Sequence, residues 1–202
     1  MKKHILLDSY SNQSKALRLQ NVALDQRTVD VPEGVEVSID GSRAKVKGPK
    51  GELTKDFSHI LTPLKIVKEN GKVRVEVYGA RKEDKAVIGT VAKHLRNMME
   101  GVTKGFTCTL KTAYAHFPIS VKVQGNKILI ENFTGERRAR VAWVAGSASV
   151  SVKGDELIVQ GISKDDVFQT AANIECATKI RRKDSRVFLD GIYLQRIGIG
   201  DG

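Results

Sequence analysis

Apolar and polar positions alternate along much of this chain, and the alternation runs twice in the same order. Val35, Val37 and Ile39 lead into Asp40-Gly41 and continue as Ala44 and Val46. A Gly-Pro-Lys-Gly turn at 48–51 follows, then a hairpin at Asn70-Gly71 running into Val73, Val75, Val77 and Gly79, then a helical segment from Arg81. From 119 the order returns: Ile119, Val121 and Val123, a turn at Gly125-Asn126, Ile128 and Ile130, and a turn at Thr134-Gly135. One strand is then expected before Lys153-Gly154-Asp155, followed by Leu157, Val159, Gly161 and a helix from Ser163. Gly51 corresponds to Gly135 and Gly79 to Gly161, at offsets of 84 and 82 residues, so the copies keep nearly one register. A unit that recurs this way is a duplicated domain.

Period-two alternation predicts half-buried antiparallel strands. Asp-Gly and Asn-Gly predict two-residue turns, because both central positions require positive φ. The first helix is predicted over roughly 81–100, with Val87, Val91, Leu95 and Met98 as its apolar stripe, Ile88 and Met99 alongside, and Gly101 as its cap. The second starts at Ser163 with Asp166 three residues on, a capping-box variant, and buries Val167, Ala171, Ile174 and Ala177. The predicted fold is α+β, two tandem copies of a small antiparallel sheet packed on one helix. A leader of 1–27 precedes the first repeat at 28–104; the second covers 105–195 and a flexible tail 196–202. Within the leader, Ala16, Leu17, Leu19, Val22 and Ala23 are spaced for a short amphipathic helix.

Composition narrows the function. Thirty-four Lys and Arg against 23 Asp and Glu give a formal charge of +11 and a pI near 9.7. Such an excess attracts polyanions, nucleic acid first and an anionic membrane surface second. Neither predicted helix is basic on one side and apolar on the other, which sets the membrane surface aside. No apolar run approaches the ~18 residues of a membrane span. Asp8 and Ser9 cut short the signal-like start, and Asp8 with Asp25 opposes a transit peptide, so the chain is expected to be cytosolic. Cys108 and Cys176 are too few for a disulfide scaffold and read as small buried apolar residues.

Catalytic groupings are missing from the sequence. There is no Gly-x-Ser-x-Gly, no His-Glu-x-x-His and no Cys-x-x-Cys, and His4, His59, His94 and His116 lack metal-ligand spacing. No cofactor, metal or enzymatic activity is expected. Glu83-Asp84 and Asp165-Asp166 fall in first helical turns, where acids complement the helix dipole. Gly48-Pro49-Lys50-Gly51 lacks the spacing and Lys-Ser/Thr ending of a phosphate loop, although Lys47 and Lys50 remain candidates for a secondary backbone contact.

Two basic clusters carry the strongest signal. Arg137, Arg138 and Arg140 follow the Gly135 turn, and Lys179, Arg181, Arg182, Lys183 and Arg186 face only Asp184. Lys104 and Lys111 join this set as candidate contacts. No helix-turn-helix, zinc finger or basic zipper is visible. Tyr10, Tyr78, Tyr114 and Tyr193 are too scattered to predict a base-stacking platform. Arginines on loops and strand ends suit backbone and shape recognition of folded, A-form RNA.

Several segments, in order, resemble the universal large-subunit ribosomal protein six family in its eukaryotic cytosolic form, historically numbered nine. They are Thr28-Val29-Asp30-Val31-Pro32, Val46-Lys47-Gly48-Pro49-Lys50-Gly51, Asp56-Phe57-Ser58-His59, Gly101-Val102-Thr103-Lys104-Gly105-Phe106, Tyr114-Ala115-His116-Phe117-Pro118-Ile119 and Phe188-Leu189-Asp190-Gly191-Ile192-Tyr193. The resemblance implies two α+β copies and a structural place on large-subunit rRNA near the sarcin–ricin loop and stalk base. Neighbouring ribosomal proteins would adjoin it, and translational GTPases would dock nearby. It also implies that the second copy supplies most of the grip, which falls on the two basic clusters. Three features depart from the family's pattern: the leader, the short tail, and Val141-Ala142-Trp143-Val144-Ala145-Gly146, which lacks the expected basic, proline-containing character. The rival expectation is a non-ribosomal RNA-binding or ribosome-assembly module.

Overall fold

The computed structural model describes residues 24–60, 64–69, 71–78, 82–115, 117–181, 184 and 186–200. In chain order these give strands β1 (Leu24–Asp30), β2 (Glu36–Asp40), β3 (Arg43–Gly48), β4 (Gly51–Asp56), β5 (Leu64–Glu69) and β6 (Lys72–Tyr78), then helix α1 (Lys82–Thr103). They continue as β7 (Phe106–Ala113), β8 (Ser120–Gln124), β9 (Lys127–Glu131), β10 (Arg140–Trp143), β11 (Ser149–Lys153), β12 (Glu156–Gly161), α2 (Lys164–Ala177) and β13 (Gly191–Ile199). The sheets run β1-β6-β5, β2-β3-β4, β10-β9-β8 and β11-β12-β7-β13. The fold is therefore α+β with repeated sheets, as the alternation predicts. The helix expected at Ala16–Ala23 lies outside the described residues, and β1 reaches back to Leu24.

The chain divides into two compact units. Unit one gathers the described residues up to 31, with 37–45 and 54–96; unit two gathers 32–36, 46–53 and 97 onward. In unit one, β6 is the central strand of its sheet. Val73 pairs with Val29, Val75 with Arg27 and Ile66, and Val77 with Asp25 and Leu64. Val73, Val75 and Val77 are wholly buried, with Ile88, Val91 and Leu95 of α1 almost so. Each such side chain contributes about 1.5–3 kcal/mol by leaving water. His94 on α1 is packed: Lys55 Nζ donates to its Nδ1 at 3.0 Å, and its ring lies 6.3 Å from that of Phe57.

Helix α1 overruns its predicted end. Gly101 lies inside it, and Gly105 (φ +77°) terminates it, donating its N–H to Gly101 O at 2.9 Å. Gly101 is small for another reason: a Cβ there would lie 2.0 Å from the carbonyl oxygen of Ile162. Packing, not capping, accounts for this glycine.

Unit two has one core. Cys108 and Leu110 of β7, Leu157 and Val159 of β12, Ile128 and Ile130 of β9, and Val167 and Ile174 of α2 are all 0% exposed within it. Helix α2 packs on β7, β10, β12 and β13. Ser163 caps α2 as predicted, its Oγ accepting from Asp166 N at 3.3 Å. The single strand expected before Lys153 is two, β10 and β11, because 144–148 turns on α2. Ala145 N donates to Thr170 Oγ1 at 2.9 Å and Ser147 N to the Asp166 carboxylate at 3.3 Å. Cys108 is buried as expected; Cys176 is exposed, which corrects that expectation.

Candidate nucleic-acid interface

Three connections meet at one end of unit two, where β7 and β9 finish, β10 and β13 begin and α2 terminates. The 178–190 connection is fixed at both of its ends. Thr178 Oγ1 accepts from Ile192 N at 3.1 Å, and the buried Asp190 carboxylate accepts from Ala115 N at 2.8 Å. Between these anchors, Asp184 turns the backbone by accepting from Arg186 N at 2.9 Å through its carboxylate and from Phe188 N at 3.0 Å through its carbonyl. The one acid of the basic stretch thus shapes the loop that presents the cations.

Arg140 does the same work for its own cluster. Its guanidinium meets the two oxygens of Glu136 at 2.9 and 2.6 Å, donates to Ala177 O at 2.9 Å and Lys179 O at 3.3 Å, and covers the Phe133 ring at 4.2 Å. Helix α2 has no basic residue in its last turn, so Arg140 supplies the cation that its C-terminal carbonyls favour. Four of its five donors are spent inside the protein, so its first role is to position the loops rather than to grip a ligand.

The turn it braces is strained. Asn132 (φ +57°) and Thr134 (φ +50°) are the non-glycine residues in left-handed backbone among the described residues, with Gly135 (φ +78°) next. Left-handed backbone costs roughly 1–2 kcal/mol per non-glycine residue. Burial of Phe133 to 1% exposure, worth about 1.5–3 kcal/mol, offsets most of that cost. Asn132 Nδ2 also holds Pro118 O at 3.1 Å.

Around this scaffold Arg137, Arg138, Lys179, Arg181 and Arg186 are exposed, and none forms an ion pair with a described residue. Arg182 and Lys183 lie outside the described residues. The other predicted contacts are placed elsewhere. Lys111 sits on the outer face of the β11-β12-β7-β13 sheet, between Glu156 and Tyr193 in the register. Lys104 leads into the opposite end of β7. Lys50 is also there: its side chain lies over Gly105, it lines a shallow cleft of about 400 Å³ with Ser147, Ser149 and Gln160, and its N–H donates to Val102 O at 2.9 Å. Gly48 has no room for a Cβ, which would meet Val102 Cγ2 at 2.7 Å. The Gly-Pro-Lys-Gly segment is thus built as a packing turn within unit two. Lys47 is exposed beside it.

The same end also carries exposed apolar side chains that the sequence does not predict. Tyr114, Phe117, Phe188 and Leu189 are 43%, 46%, 39% and 63% exposed at the same end as the arginines. Tyr10 lies outside the described residues, and Tyr78 is in β6 of unit one. The gathering was hidden because Phe117 and Phe188 stand far apart along the chain and meet one end only through the closure of β13 on β7. Among the described residues no group of His, Cys, Asp and Glu is arranged to hold a metal, and no helix is long and apolar enough to cross a membrane.

Comparison with known proteins recovers the duplication. The ribosomal protein L6 family model matches residues 31–105 and again 117–191, one match per repeat. The large ribosomal subunit protein uL6 of Aeropyrum pernix is 52% identical over 166 residues, covering 82% of this chain and 91% of that protein. Its namesake in Ignicoccus hospitalis is 52% identical over 169 residues, with the same coverage. That of Methanosarcina mazei is 48% identical over 168 residues, covering 83% of this chain and 94% of its own. With both repeats matched and relatives aligned over most of its length, the chain belongs to the ribosomal protein L6 family, whose members are structural proteins and not enzymes.

Proposed function

We propose that the chain is a structural component of the large ribosomal subunit that binds rRNA near the sarcin–ricin loop and stalk base, on the cytosolic ribosome. The second repeat supplies the main grip, neighbouring ribosomal proteins flank it, and translational GTPases dock close by. One observation carries this reading: five basic side chains without an ion-pair partner among the described residues stand around loops tied down by Arg140, Asp190 and Thr178. Cations carried on loops tied down in this way neutralise closely spaced phosphates with less loop entropy lost on binding. Guanidinium groups suit the task, because each offers paired donors to a phosphate.

Binding of the full chain to large-subunit rRNA, measured across a salt series, tests the proposal. Replacing Arg137, Arg138, Arg181 or Arg186 by Ala should each cost roughly 1–2 kcal/mol and lower the slope of log affinity against log salt by about one. A slope unchanged in all four variants removes these residues from the interface.

A further inference from the structure

We infer that the loop end of unit two binds unpaired nucleotides as well as backbone phosphate, with the Phe117 ring as a stacking surface; this rests on the rRNA reading above. Phe117 is 46% exposed, and the tip of its ring lies against the Gly135 turn, where a Cβ would approach Cζ to 3.3 Å. Arg137 and Arg138 begin two residues after that glycine. The backbone on both sides is fixed: Asn132 Nδ2 holds Pro118 O at 3.1 Å, and Asp190 holds Ala115 N at 2.8 Å. Tyr114, 43% exposed, precedes the second of these anchors. Just after the basic stretch come Val187 and Leu189, 72% and 63% exposed. A rigid end that shows aromatic and aliphatic tips among guanidinium groups fits a partner that is anionic and also has apolar faces.

A paired A-form stem is a poor match for that surface. It offers phosphates, sugars and groove edges, and its base faces are hidden in the stack. Loops and bulges offer both elements, a charged backbone and open base faces that stack on aromatic rings. The strained Asn132–Gly135 turn serves this purpose by holding Phe117 and the two arginines in fixed relation.

The test uses the full chain and a large-subunit rRNA transcript, with two readouts. Hydroxyl-radical cleavage reports protected backbone, and 2′-hydroxyl acylation reports mobile, unpaired nucleotides. The expected result is a protected footprint containing unpaired nucleotides whose acylation falls about threefold or more. Phe117→Ala should restore that acylation while leaving backbone protection in place, and Phe117→Trp should keep it low. Phe117→Leu, which keeps an apolar group over Gly135, should behave as Phe117→Ala does, separating loss of the ring from loss of packing. A footprint made only of paired nucleotides overturns the inference, as does acylation indifferent to all three variants, the result expected if a protein covers the ring instead. Absence of any backbone protection by the wild-type chain overturns the rRNA reading itself.

Discussion

The two units repeat a fold but not a use of charge. In unit one several of the basic side chains are answered locally, although Arg27, Lys65, Lys82 and Lys93 are exposed and have no ion pair with a described residue. Arg43 pairs with Asp56 at 2.9 Å, Lys72 with Asp30 at 2.9 Å, Lys85 with Asp25 at 3.5 Å, and Arg74 with both Glu69 and Glu76. The Ser58 N–H, followed by the Arg43 guanidinium, holds the Asp56 carboxyl down at about 2, so this pair stays charged at any ordinary pH. At the loop end of unit two the nearest acids are occupied with shape: Glu136 holds Arg140, Asp184 turns the loop and Asp190 ties down Ala115. The exposed arginines beside them form no ion pair with a described residue. Duplication preserved the scaffold, and the difference lies in what the acids do.

The comparison can be broken most decisively by removing charge on each side. Changing Arg137, Arg138, Arg181 and Arg186 together to Ala should weaken rRNA binding by at least about 4 kcal/mol, roughly a thousandfold. Removing Arg43, Lys72 and Lys85 together should change the same affinity by less than about tenfold. Equal losses from the two sets, in one salt titration, would erase the distinction.

Gly101→Ala comes next in size. A methyl group 2.0 Å from Ile162 O forces backbone apart and should lower stability by about 3 kcal/mol in thermal or urea unfolding. Arg140→Ala should cost about 2 kcal/mol in the same assay, since it uncovers Phe133 and frees Glu136 and two carbonyls. Lysine at 140 should not restore this, because one ammonium cannot reproduce the fork. Arg43→Ala, by contrast, removes an exposed pair and should leave the unfolding midpoint almost where it was.

The smallest effect is chemical. Burial first, and then the charge of Glu175, push the Cys108 thiol from 9.0 up to about 11. The folded state therefore favours the protonated thiol, so this group leaves stability unchanged below pH 9 and lowers it as pH rises from about 9 to 11. At pH 8 a thiol reagent should titrate one cysteine, Cys176, in the native chain and two in denaturant.

Much of this was readable in advance, and most of the failures share a cause. Turns announced themselves because Gly41, Gly71, Gly125 and Gly154 all carry positive φ. The stripe of α1 and the Ser163 cap were equally plain, since helical spacing and a capping side chain are local properties. Gly101 misled because a glycine late in a helix signals a cap, whereas here the reason is a carbonyl 61 residues away in sequence. Central strand β7 was missed although Phe106, Cys108 and Leu110 alternate with Thr107, Thr109 and Lys111 as a half-buried strand does. At the interface, the basic clusters were visible as runs. The inward duty of Arg140 and the company of Phe117 were not, because both depend on which loops the sheets bring together.

Density for this chain in an assembled large subunit would decide where the cations go. The side chains of Arg137, Arg138, Lys179, Arg181 and Arg186 should lie within hydrogen-bonding reach of rRNA phosphates, while Arg140 keeps its bonds to Glu136 and the end of α2. Those five side chains pointing into solvent or against protein, with the rRNA approaching unit one instead, would contradict it.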